Sequence, residues 1–127
     1  MPKQVENAAS DDYLSAIYRL THDEGIDAFA VRLSDRLSVT PPSVAGMLKR
    51  LQRDGLVQLD KRKTIKLTTE GQKRAEQMVR RHRLAECLLT TILKIPWWQA
   101  YEEAHLLEHG ISDVTEPSLY QALGKPT

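Results

Sequence analysis

The residues best suited to chemistry are histidines and carboxylates at helical spacing. His82 and Glu86 are four residues apart, as are His105 and His109, with Glu108 between the second pair. At about 100° per residue, positions four apart lie on one face of a helix. Tyr101, His105, Glu108 and His109 fall on one such face, and Asp11 and Asp12 can add an oxygen from the first helix. Imidazole nitrogen with carboxylate oxygen suits Mn, Fe, Co, Ni or Zn dications. His105-Leu-Leu-Glu108-His109 also fits the H-x-x-E-H pattern of some zinc peptidases, with the Glu as base. No third protein ligand for a peptidase centre follows downstream, and a metal-binding protein that is not an enzyme is expected.

A second set of residues points to double-stranded DNA. Thr40 is a good helix N-cap and Pro41 fits the first helical position, where its missing N–H costs nothing. Val44, Met47, Leu48 and Leu51 form one apolar stripe on the helix that follows, leaving Lys49, Arg50 and Arg53 outside it. Thr40, Pro42, Ser43, Ala45 and Gly46 at the helix start are small enough to approach base edges. A turn, Lys61-Arg62-Lys63, places three more cations one hairpin away, suited to phosphates. No Asn or Gln lies on the first two turns to read adenine bidentately, so readout is expected to rest partly on DNA shape.

The elements that position these groups follow from periodicity. Tyr13, Leu14, Ile17 and Leu20 predict a helix over 11–21, capped by Ser10 or Asp11. A short helix is expected over 31–38 and another from Pro41 until Asp54-Gly55 ends it. Leu56–Leu59 and Thr64–Leu67 alternate as a β-hairpin. Thr68 or Thr69 then caps a long helix to about Leu93, which Pro96 breaks. Helices over 97–109 and 112–123 complete the chain. The expected fold is mainly α, a winged helix-turn-helix followed by an all-helical lobe that carries the clustered metal-ligand types. The expected division is 1–71 for DNA binding and 72–127 for the helical, metal-binding lobe.

Composition narrows the class. The 127 residues are 41% hydrophobic and 28% charged, an ordinary globular balance. Net charge is only +1, but residues 28–83 hold 14 Lys or Arg against 5 Asp or Glu, and each flank holds 2 against 6. A basic centre between acidic ends fits one anionic and one cationic partner. No apolar run is long enough to span a membrane, and the first residues do not resemble a signal peptide. One cysteine, Cys87, excludes an internal disulfide and an all-cysteine zinc site; a cytoplasmic setting is expected.

Several motifs occur in order: Tyr13-Leu14-x-x-Ile17-Tyr18, Pro42-Ser43-Val44, Arg53-Asp54-Gly55-Leu56-Val57, Thr68-x-x-Gly71, His82-Arg83-Leu84-Ala85-Glu86 and Glu108-His109-x-x-Ser112-Asp113. Together, over about residues 10–123, the chain resembles the diphtheria toxin repressor family, which includes iron-dependent regulators and manganese transport regulators. The resemblance implies a homodimer that reads a palindromic operator when loaded with metal. It implies a primary metal site of Asp12, His105, Glu108 and His109, with an accompanying site at His82 and Glu86. The metal is then expected to join the first helix to the dimerisation helices and so set the spacing of two recognition helices.

The departures from the family pattern bear on the metal. The iron branch has Met at the position of Asp12, Cys at His105 and His at Tyr101. The manganese branch has Asp at Asp12 but Glu at His105 and at Ser15. Hard Asp12 and the absence of a thiolate favour Mn2+, with Fe2+ the alternative; Zn2+, Co2+ or Ni2+ can substitute in vitro. A metal-independent winged-helix factor is the other alternative. Leu84, Leu88, Leu89, Ile92, Trp97 and Trp98 are expected at the dimer interface. Long family members add a small β-barrel after a Pro-rich link, so the chain is expected to be either a short-form member or the front part of a longer one.

Overall fold

The computed structural model describes residues 2–126, with side chains from residue 8 onward. Its elements are α1 (Pro2–Tyr18), α2 (Ala30–Leu37), α3 (Pro41–Arg53), β1 (Val57–Leu59), β2 (Ile65–Leu67), α4 (Thr69–Cys87), α5 (Trp97–Leu107) and α6 (Thr115–Ala122). The fold is mainly helical with one two-stranded antiparallel sheet. Two compact units divide it, Asn7–Glu76 and a second built on Gln77–Thr127.

The first unit closes around Leu14, Ile17 and Leu20 of α1, Leu33 of α2, and Val44, Met47, Leu48 and Leu51 of α3. These are the apolar stripes of amphipathic helices, and each is buried. Ser38 takes a left-handed conformation (φ 54°), which turns the chain sharply from α2 into α3. The Thr40 hydroxyl accepts from Ser43 N–H, and Pro41 opens the helix. Gly55, at φ 75°, reverses the chain after α3. In the hairpin Val57 pairs with Leu67 and Leu59 with Ile65, while Ile65 N–H also donates to Ala28 O at 2.8 Å. The Thr68 hydroxyl donates to Gly55 O at 2.6 Å and accepts from Gly71 N–H at 3.1 Å, capping α4 against the hairpin.

The second unit packs Ala85 and Leu89 against Ala100, Ala104 and Ile111. Leu84 and Leu89 are therefore buried within the chain, whereas Ile92, Trp97 and Trp98 are exposed. Among the described residues, no helix is long and apolar enough to cross a membrane.

Three expected helix ends are corrected. α1 begins at Pro2, so Ser10 and Asp11 are interior positions and cap nothing; Asp11 instead pairs with Arg74 of α4 at 2.9 Å. α4 ends at Cys87, and Leu88–Ile92 widens into a turn in which Leu93 N–H reaches Leu88 O. The cause lies in Thr90-Thr91-Ile92: β-branched residues are poor helix formers, and the Thr90 hydroxyl donates to Glu86 O at 2.8 Å. α5 ends at Leu107, and Glu108–Gly110 tightens into a single turn closed by Ile111 N–H on Glu108 O.

Candidate functional site

That tightened turn decides where Glu108 points. Glu108 is 3% exposed, and its Oε1 accepts from His82 Nδ1 of α4 at 2.5 Å. His105 Nδ1 lies 3.8 Å from the same oxygen. Donor atoms of His82, His105 and Glu108 all lie within 4.8 Å of one another. Glu86 Oε1 lies 2.9 Å from His82 Nε2 but off its hydrogen-bond axis, leaving a buried ring nitrogen without an aligned partner. Tyr101 packs edge-on against the His82 ring, with centroids 4.8 Å apart.

The residues fit a divalent cation. Two imidazoles and one carboxylate supply borderline nitrogen and hard oxygen, with the Glu86 carboxylate beside the second His82 nitrogen, and a buried nitrogen without an aligned hydrogen bond is the kind of donor a metal satisfies. The cluster joins residues expected at separate sites: His82 meets His105 and Glu108 around the Glu108 carboxylate, while Glu86 touches the other nitrogen of the His82 ring. His109, half-buried, stacks edge-on with His105 at 5.8 Å. Asp12 lies half-buried on α1, in the first unit. Cys87 is half-buried, with its sulfur 3.9 Å from the Thr91 hydroxyl, and is not in the cluster.

On the first unit every expected DNA-facing residue is exposed: Thr40, Pro42, Ser43, Arg50, Arg53, Lys61, Arg62 and Lys63. They lie at the start and outer face of α3 and at the hairpin tip. The Thr40 hydroxyl donates to the Ser43 oxygen at 2.9 Å while accepting from its N–H, so Thr40 is spent on the cap and Ser43 keeps its O–H. Arg53 pairs with Asp54 at 3.1 Å, an exposed contact of small worth.

Two residues that organise these sites were not singled out in the sequence. Asp60 holds the hairpin tip: its carboxylate accepts from Arg62 N–H at 2.9 Å and Thr64 N–H at 3.0 Å, with Lys63 at φ 63° between them. The Thr64 N–H, with help from Arg62 N–H and Lys66, holds the Asp60 carboxyl below the usual range against an opposing effect of burial. An Asp opening a four-residue turn was the available signal. Arg81, buried beside His82, is the other, and nothing in its spacing announced it.

Family comparison agrees with this division of labour. Residues 7–65 match the iron-dependent repressor N-terminal DNA-binding domain, and residues 68–127 match the iron-dependent repressor metal-binding and dimerisation domain. The chain belongs to the iron-dependent repressor family. It is 36% identical over 115 residues to the iron-dependent repressor IdeR of Mycobacterium leprae, covering 91% of this chain and 50% of that protein. The solved manganese regulator SloR shares 35% identity at a TM-score of 0.81, covering 91% of this chain and 54% of that one. A manganese-dependent transcriptional repressor in complex with manganese shares 31% identity at a TM-score of 0.84, with 91% and 53% covered. The chain spans about half the length of the curated relatives it matches.

Proposed function

We propose that this iron-dependent repressor family member is a metal-dependent DNA-binding transcriptional repressor of metal-ion homeostasis. It binds a palindromic operator as a homodimer when loaded with Mn2+. The observation that carries the reading is the buried His82–Glu108 pair with His105 and Glu86 closing on it. A metal switch gives these clustered donors a task that a metal-independent winged-helix factor does not require. Within the chain, residues 1–71 serve DNA binding as a winged helix-turn-helix and residues 72–127 serve dimerisation and metal binding. The setting is cytoplasmic, where Cys87 stays reduced.

Each group then has a task. His82, His105 and Glu108 hold the ion, and the family resemblance adds Glu86, Asp12 and His109. A bound dication supplies positive charge that removes repulsion between the carboxylates. Ser43, Pro42 and Ala45 face base edges, Thr40 fixes the helix start, and Arg50, Arg53, Lys61, Arg62 and Lys63 meet phosphates. Metal loading shifts a population, by no more than the difference in ion affinity between the DNA-competent and other states.

Manganese is favoured because the donors are nitrogen and hard oxygen and because two similar solved proteins are a manganese regulator and a manganese-dependent repressor. Iron is the second reading, favoured by the names of the curated relatives, and Zn2+, Co2+ or Ni2+ can occupy such donors in vitro. A peptidase role is disfavoured because Glu108, the base that H-x-x-E-H requires, is buried and spent on His82. The test is operator binding by fluorescence anisotropy with Mn2+, with Fe2+ and with excess chelator. Tight binding with metal and loss of it in chelator is expected; equal affinity in chelator removes the switch. Asp12→Ala and His109→Ala, each expected to raise the metal needed for binding, test two of the ligands added by resemblance.

A further inference from the structure

Arg81 stands one residue before His82 on α4, with its side chain only 8% exposed. Its Nε donates to Glu116 Oε1 at 2.6 Å, and its Nη2 donates to Asp113 Oδ1 at 2.7 Å. The other Glu116 oxygen lies 3.5 Å from Arg80 Nε. A buried guanidinium is costly to desolvate, and simpler apolar packing often serves stability as well. Stability alone is therefore a weak account of it.

The location supplies a better one. Asp113 and Glu116 lie just after the turn that carries Glu108. Ile111, buried in the core, donates its N–H to Glu108 O at 3.2 Å. The Ser112 hydroxyl accepts from the N–H groups of Val114 and Thr115, and Glu116 N–H donates to Ser112 O at 2.9 Å. Residues 108–116 thus form a segment of two consecutive hydrogen-bonded turns joined directly at Ile111–Ser112. Its leading end must present Glu108 to His82, and its trailing end is gripped by Arg81. Adjacent residues of α4 hold the two ends. The trailing end is tied to α4 through Arg80 and Arg81.

We propose that Arg81 is a positioning residue for the metal centre: its fork on Asp113 and Glu116 sets the 108–116 segment in register on α4, so that Glu108 meets His82 before an ion arrives. The role rests on the metal-binding reading above. A planar fork reaching two carboxylates is what the geometry uses, and Lys, a single point charge, can replace only part of it.

The experiment is a calorimetric titration of the full chain with Mn2+ for wild type, Arg81→Leu, Arg81→Lys and Leu89→Ala. Amide hydrogen exchange at Ile111 and Glu116 is followed in the metal-free proteins. Arg81→Leu is expected to weaken Mn2+ binding about 10- to 100-fold, the usual range for a group that orients ligands, and to speed exchange at Glu116. Arg81→Lys recovers part of the affinity. Leu89→Ala, a core truncation, lowers the melting temperature and leaves the affinity unchanged. Should Arg81→Leu fail to fold, Glu116→Gln is to show the same loss of affinity. Unchanged affinity in both, or an equal loss in Leu89→Ala, overturns the positioning role. If wild type itself takes up no Mn2+, the metal reading fails separately. The exchange data then decide Arg81: unchanged protection in Arg81→Leu overturns its hold on the segment.

Discussion

Glu108 and Asp60 are both carboxylates held by hydrogen bonds, yet they give opposite kinds of test. Glu108 is buried against His82, so its proposed role as a ligand is read through the metal. Glu108→Gln keeps the shape and one hydrogen bond to His82 but removes the charge that role needs. Its metal-free melting temperature is expected to stay near wild type while the rise on adding Mn2+ disappears. In wild type that rise corresponds to about 2.7 kcal/mol when free ion is about 100 times Kd. Thermal melts with and without Mn2+ check it, and a full rise in Glu108→Gln would remove this carboxylate from the site. Asp60 is read through pH. Its ionised form is favoured in the fold, first by Thr64 N–H, so its pKa lies below the ordinary value of 3.8. A depressed carboxyl contributes stability above its unfolded pKa and loses it as pH falls through the lower folded value. The Arg62 and Thr64 amide resonances are therefore expected to keep their positions down to the ordinary carboxyl range and to shift only below it. Asp60→Ala is expected to release those amides at neutral pH and to weaken operator binding severalfold, because Arg62 and Lys63 lose a fixed direction.

At the scale of elements, the hairpin and α4 meet at close quarters around Gly71. A Cβ on Gly71 would lie 1.9 Å from Leu56 O, a backbone atom that cannot swing aside. Gly→Ala in an open helix stabilises by up to about 1 kcal/mol. Here Gly71→Ala is expected to destabilise instead, by about 1–3 kcal/mol of forced backbone shift, measured by urea unfolding. The reversed sign is the diagnostic. The same scale shows what sequence periodicity carries and where it stops. Val44, Met47, Leu48 and Leu51 announced both a helix and its buried face, and α3 has both. Thr40-Pro41 announced its start for a local reason, since capping depends only on near neighbours. The hairpin was legible from Leu56–Leu59 and Thr64–Leu67, and its strands form over Val57–Leu59 and Ile65–Leu67. The ends of α4 and α5 were not legible. The apolar pattern runs on through Ile92, while the backbone yields to Thr90 and its neighbours; nothing in the period of α5 foretells the tight turn at Glu108. The histidines and carboxylates were visible as ligand types, but that turn is what brings His82 to Glu108. The Arg81 fork was invisible because its partners lie 32 and 35 residues away.

At the scale of the whole molecule, charge and exposed apolar surface are sorted by sequence region, and each makes a demand on a partner. The basic centre of the sequence predicts salt-sensitive DNA binding. Arg50→Ala and Arg62→Ala are each expected to shallow the slope of log K against log salt by about 1, as loss of one phosphate contact does. An unchanged slope would remove that residue from the interface. The second unit makes the other demand. Ile92, Trp97, Trp98, Leu106 and Val114 are 56%, 77%, 65%, 71% and 81% exposed, apolar side chains in the region that matches a dimerisation domain. A second copy is the partner that a twofold operator requires, since two recognition helices must meet half-sites about 34–36 Å apart or a multiple of that. Trp98→Asp places a charge in that surface without touching the Ala100–Ala104 core. Sedimentation velocity is expected to show a dimer for wild type and a monomer for Trp98→Asp at the same concentration. Because the proposed metal donors lie on one chain, the monomer is still expected to melt higher with Mn2+ while losing operator affinity. A Trp98→Asp chain that stays dimeric places the contact elsewhere on the unit; one that is monomeric yet binds the operator as tightly as wild type removes the need for two copies.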